Sequence, residues 1–234
     1  MEQPYPLERW PAGHRAALLV VARMAATADA DPAVPALGLD YATTGFQHLL
    51  RALGDLDIHA TTAWSDGALV SSPQLARLAL DEGHEVIPAG AGAAERVARL
   101  TSTGVTGAMT AGADLDGLTW VVSDRGGDVP AVVGDGTVSI PTSPFWTDAA
   151  WFDPLRPAPP SALLEAWSQG LQSVRAGGQM MTVILHPHLS GRPGHIEAIS
   201  RFLDEAIGAG DVWIPLGSEL AAWWLARTPA TEER

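Results

Sequence analysis

The apolar positions of this 234-residue chain alternate between short unbroken runs and segments of helical period. Residues 16–21, Ala-Ala-Leu-Leu-Val-Val, form one such run. This is the pattern of a strand buried on both faces of a parallel sheet. A loop with Pro and Asp follows, over 28–40. Phe46, Leu49, Leu50 and Leu53 then recur at three- and four-residue spacing. They predict a helix capped by Thr43 or Thr44 and running through Leu53.

Residues 58–64 predict a second strand. Ser72-Pro73 predicts an N-cap followed by proline at the first helical position, with the helix reaching Asp81 and Gly83 ending it. Glu85-Val86-Ile87 predicts a third strand, and 93–100 another helix. From 101 to 138 the chain is rich in Gly and Asp, and only short strands are read there, at 118–122, 131–133 and 138–140. A proline-rich connector over 154–160 leads to a helix at 161–176. Then come a strand at 180–185, an amphipathic helix at 196–207, a strand at 212–214 and a helix capped by Ser218 and running through Trp224. There is no internal repeat. Strands alternating with helices imply an α/β fold in which a mainly parallel sheet curls into a barrel, with one domain over 1–234.

Composition narrows the chemistry. There is no cysteine, which excludes disulfides and thiolate metal sites. There is no lysine, which excludes Schiff-base and phosphate-loop lysines. The net charge of −13 argues against nucleic acid and anionic membranes as partners. No apolar run approaches a membrane span, and the first residues lack the basic and apolar regions of a secretory signal, so a cytoplasmic protein is expected.

The stretch Leu185-His186-Pro187-His188-Leu189-Ser190-Gly191-Arg192-Pro193 carries the candidate chemistry. A strand that empties into His-Pro and a glycine turn places an imidazole at the mouth of a barrel. His186 and His188, two apart near a strand end, can share a face. His186, helped by Asp148 or His188, suits proton transfer near neutral pH. Alternatively the two histidines suit a metal, with Asp148 or Glu85 as third ligand. The bland alternative is one hydrogen-bonded mouth residue and one solvent-facing ring.

The order of segments resembles the polysaccharide deacetylase superfamily, and within it the branch of allantoinase-like and cyclic-imide-hydrolase-like proteins. The matching pieces are Arg9-Trp10-Pro11, Ile58-His59-Ala60-Thr61-Thr62, Gly83-His84-Glu85-Val86, Ile140-Pro141, Leu185-His186-Pro187 with Gly191-Arg192-Pro193, and Val212-Trp213. The resemblance implies a distorted (β/α) barrel of about seven parallel strands, with its site at their C-terminal mouth. It also implies an acid role for His186.

The superfamily's metal set does not map onto this chain. Its acidic pair falls on Ala22-Arg23-Met24-Ala25, its two metal histidines on Ala89 and Ala93, and its Arg-x-Pro motif near Met109 and Ala111. Methyl groups offer a Zn-like ion no lone pair. Asp29 or Asp31 could replace the missing carboxylates but not the missing imidazoles, so neither metal nor other cofactor is expected. The vacated positions suggest an apolar pocket whose wall includes Met24 and Met109. Trp64, at the end of the second strand, Trp146 and Glu85 are further substrate-binding candidates. Asp148 is the group expected to orient an imidazole or to bind an amide N–H.

Two functions are expected from this. One is a repurposed, metal-independent enzyme acting on a small amide, imide or other carbonyl substrate, with His186, Asp148 and His188 as its machinery. The other is a non-catalytic pseudoenzyme that binds a small molecule or serves an active relative as partner subunit. The adjacent pair Trp223-Trp224 diverges by about 100° on a helix, so one of the two suits an interface. From the resemblance, a homo-oligomer is expected, with a hetero-oligomer as the alternative.

Overall fold

The computed structural model describes residues 10–26, 38–110, 117–124, 127–134, 136–153 and 158–227. Nine strands and eight α-helices are found among them. The strands are β1 (Ala16–Met24), β2 (Thr61–Trp64), β3 (Glu85–Pro88), β4 (Gly107–Met109), β5 (Trp120–Ser123), β6 (Ala131–Val133), β7 (Thr137–Pro141), β8 (Met180–Leu185) and β9 (Val212–Trp213). The helices are α1 (Ala42–Asp55), α2 (Asp66–Ser71), α3 (Pro73–Asp81), α4 (Ala94–Thr101), α5 (Pro160–Gly177), α6 (Pro187–Ser190), α7 (His195–Gly208) and α8 (Gly217–Arg227).

Two sheets share the strands. One has the order β3-β2-β1-β8, with β9 on the first residues of β1, and the other has the order β4-β5-β7-β6. All pairings are parallel except β6 with β7. Single parallel bridges join the sheets, Ala89 to Met109 on one side and Thr147 to Ile184 on the other. The path β1-β2-β3-β4-β5-β7-β8 thus returns to β1 as a ring of parallel strands, the α/β barrel the alternating pattern predicts.

The ring sorts side chains by parity. Leu19, Val21, Ile87, Val122, Ile140 and Ile184 point inward and pack together with Trp10 and Trp120. Leu18, Val20, Ala22 and Met24 point outward into the larger core under the helices, with Phe46, Trp64 and Trp167. Both sets are sealed, which is why β1 reads as one continuous apolar run.

Several local expectations change. Neither Thr43 nor Thr44 caps α1. A 3-10 turn (Leu39–Tyr41) leads straight into that helix, whose N-cap is Tyr41. Ser72 stands before α3 without a capping hydrogen bond, because α2 ends against it. β4 and α2 went unread, being only a few residues long and weakly apolar. Trp223 and Trp224 are both half-buried on their own chain, since Trp224 packs on Trp10 at 5.9 Å and Trp223 on Trp213 at 6.1 Å. No helix among the described residues is long and apolar enough to cross a membrane.

Candidate active site

β8 carries its last extended residue, His186, to the C-terminal end of the ring. Pro187 then starts α6, because its fixed φ suits a first helical position. The turn is held against α1 by glycines. A Cβ on Gly191 would lie 2.3 Å from the Gly45 Cα, and one on Gly45 would lie 2.0 Å from the Pro187 carbonyl oxygen. Only bare backbone fits at that crossing. Arg192 adds a hydrogen bond from its Nε to the His188 carbonyl at 2.8 Å and lies over the Tyr41 ring at 4.6 Å.

Asp148 comes from the 3-10 turn Asp148–Ala150, placed beside β8 by the Thr147–Ile184 bridge. Its carboxylate is fully buried. The backbone N–H of His186 donates to Oδ2 at 2.7 Å, the Ser190 hydroxyl donates to the same oxygen, and His186 Nδ1 lies 2.6 Å from Oδ1. A carboxylate facing Nδ1 calls for the proton on that nitrogen, which leaves the lone pair of a neutral ring on Nε2. His186 Nε2 is buried and has no hydrogen-bond partner.

The His186 ring forms part of the wall of a cavity of about 640 Å³. The wall is built from strand ends and the loops after them. β1 gives Arg23, β3 leads to Ala89 and Gly90, β4 gives Met109, and β5 gives Val122, Ser123 and the following Asp124. The segment after β7 gives Thr142, Ser143, Pro144 and Thr147, and β8 gives Ile184. This is the C-terminal mouth, where such barrels carry their sites.

Of the residues singled out from the sequence, His186 and Met109 face this cavity, and Asp148 stands directly behind His186. His188 is buried in α6, its ring edge-on to that of His186 at 6.0 Å, and lies outside the cavity wall. Met24 and Trp64 are register partners on the outward face. Trp64 packs edge-on against Phe46 at 5.1 Å and donates its indole N–H to Thr62 Oγ1, so it belongs to the core and not to the pocket. The Trp146 ring lies against Gly170 of α5, also away from the cavity.

Glu85 begins β3, at the opposite end of the ring. Its Oε2 accepts from Thr61 Oγ1 at 2.8 Å and from the Gly217 N–H at 3.1 Å, which caps α8. Burial raises its carboxyl above the ordinary value, against the lowering effect of hydrogen bonds from Ser218 and Thr61. It serves the closed end of the barrel.

Sequence reasoning missed Arg23 as a site residue. In the structure it shares the inward parity of Leu19 and Val21 at the mouth, where the neighbouring Met24 faces out, and the unbroken apolar run before it carried no signal of that parity. The residues around the cavity do not suit the metal that the resemblance brings with it. Among the described residues no group of three His, Asp or Glu side chains could hold an ion, and a guanidinium occupies part of the wall.

No protein-family model matches the chain, and no curated protein sequence matches it. Solved structures do. Puue allantoinase superposes with a TM-score of 0.87 at 19% identity, covering 98% of this chain and 96% of that one. A putative polysaccharide deacetylase from Mycobacterium smegmatis gives 0.82 at 22% identity, with 96% of each chain covered. A CE4 family pseudoenzyme from Bacillus anthracis gives 0.54 at 11% identity, over 88% of this chain and 65% of that one. The fold of this chain is therefore that of the allantoinase and polysaccharide deacetylase structures.

Proposed function

We propose that the chain is a polysaccharide-deacetylase superfamily member that works without the ancestral metal, as an enzyme on a small amide, imide or other carbonyl substrate. The observation that carries this reading is the buried Asp148–His186 pair beside a cavity that His186 lines, with Nε2 left without a hydrogen-bond partner. The positions where the resemblance would put metal ligands contribute Arg23 and Ala89 to the same wall, and Met109 stands near the place of its Arg-x-Pro motif.

The chain's own groups can run an amide hydrolysis. Nε2 takes a proton from water as the water oxygen bonds to the carbonyl carbon. It then delivers that proton to the departing nitrogen as the C–N bond breaks. Asp148 keeps the ring in one tautomer and one orientation and stabilises the imidazolium that forms between the two steps. The Ser143 hydroxyl on the wall accepts the Phe145 N–H and keeps its own proton as a donor for a carbonyl oxygen. The apolar walls at Met109, Val122 and Ile184 limit water around the reacting atoms.

The test is turnover of a panel of small amides and cyclic imides with a chelator present, followed by His186→Ala. Turnover should survive chelation and fall about 10²- to 10⁴-fold in the variant. Unchanged turnover in His186→Ala, or loss of turnover on chelation, would end this reading.

One observation favours a second reading, that of a non-catalytic binding protein. Nε2 is shielded from solvent as well as unpartnered, so a ligand held near the ring without being converted is the outcome that would support it. Tight binding with no product over the whole panel decides for this alternative.

A further inference from the structure

The cavity wall is asymmetric in charge, and its cation stands beside the imidazole. β1 and β8 are paired in parallel with Ala22 opposite Leu185. The next residues along, Arg23 and His186, leave neighbouring strand ends on the same inward parity, and both reach the cavity. Arg23 is the one cation among the described residues of the wall, in a chain whose net charge is −13. Arg23 as a residue is half-buried. It takes part in another interaction as well, but its five N–H donors leave capacity for a planar acceptor. Asp124 at the end of β5 is the acid of the same wall. It disfavours a ligand that is anionic throughout and favours one whose negative charge is confined to one end.

We propose that the cavity takes a small amide or imide carrying a single carboxylate, which the Arg23 guanidinium grips in a two-pronged hydrogen bond while the amide group lies at Nε2 of His186. The assignment deepens the reading of His186 given above and rests on it. Arg23 supplies the fixed point that a metal-free site otherwise lacks. A carboxylate clamped at one end leaves the substrate little freedom to move its carbonyl away from the imidazole. Uncharged amides of the same size lack that anchor.

The experiment compares succinamate with succinamide, which differ in shape only at one terminal group, by titration calorimetry on the full chain at neutral pH. Succinamate should bind roughly 10-fold or more tightly, as expected for hydrogen bonds to a charged group. Arg23→Gln should erase the difference, and Arg23→Lys should keep part of it. Thermal melts of both variants show that they fold, and the Lys variant carries the test should the Gln variant melt early. His186→Ala should keep the preference for the carboxylate while losing turnover, which separates this proposal from the acid–base reading. Equal binding of the two ligands, no binding of succinamate at millimolar concentration, or a preference that survives Arg23→Gln would overturn it. Displacement of succinamate by inorganic phosphate at equal strength would also overturn it, by reducing Arg23 to a general anion contact.

Discussion

Two buried histidines stand at opposite ends of the barrel, and their surroundings assign them opposite tasks. His84 precedes β3 at the closed end. Its Nδ1 accepts the Ala60 N–H at 3.0 Å, so its proton belongs on Nε2, facing Glu82 at 4.0 Å. His186 follows β8 at the open end. Its Nδ1 donates to Asp148, and Nε2 keeps the lone pair. Both rings are almost fully buried. A backbone donor locks the first ring into structure, and a carboxylate orients the second as the proposed proton transfer requires. Burial alone does not distinguish a structural histidine from a reactive one. The partner on the far nitrogen does.

The strongest way to break this contrast is to remove the carboxylate. Asp148→Ala strands the His186 N–H, the His186 Nδ1–H and the Ser190 hydroxyl in a dry interior. We expect a stability loss of about 4 kcal/mol by denaturant titration, as for other broken buried networks, together with loss of turnover. A loss under ~1 kcal/mol would mean that water reaches Asp148 and that the orienting role is wrong.

At the closed end the contrast shows in acid. Burial, and secondarily the neighbouring His59, lowers the His84 pKa from 6.5 to about 4. The folded state therefore binds this proton more weakly than the unfolded chain. The contribution of His84 is whole above about pH 6.5 and is lost as pH falls towards 4, on the order of 3 kcal/mol in all. Glu85 acts in the opposite sense. Its raised pKa makes its contribution fall as pH climbs from the ordinary carboxyl value. The clean measurement is the difference between wild type and His84→Gln in denaturant unfolding across this range. The Gln variant keeps an acceptor for Ala60 and should flatten the acid slope. Parallel curves would show that His84 does not titrate on unfolding.

A smaller effect tests how tightly the reactive end is clamped. Gly45→Ala drives a methyl into the Pro187 carbonyl, and we expect a cost of about 1–3 kcal/mol and weaker turnover. In the same helix Gly54 has nothing near a Cβ, and Gly54→Ala should stabilise by ~0.5–1 kcal/mol. Similar results for the two would remove the claim that the His186 turn is held by close backbone contact.

The barrel was legible in the sequence because its long strands and helices carry strong patterns, as in β1, β8, α5 and α7. The short elements β4 and α2 were not, since three to six residues with Gly and Ser hold too few apolar positions to show a period. His186 was legible from its place at a strand end, and Asp148 as its partner only through the resemblance of the loop that carries it. The inward set was harder. A strand sealed on both faces gives no alternation to show which parity meets the cavity. Met24 and Trp64 therefore looked as suitable as Arg23, although both face the helices. Trp146 was misplaced for a related reason, since an aromatic ring in a loop near the mouth can turn outward as readily as in.

The two single bridges that close the ring have one more consequence. Ala89, Met109, Thr147 and Ile184, the residues that form them, all border the cavity. Elsewhere, neighbouring strands of the ring are stitched by runs of paired residues, but at the ligand's doorway each seam hangs on one stitch. The cavity therefore lies where the ring has its fewest main-chain bonds between strands.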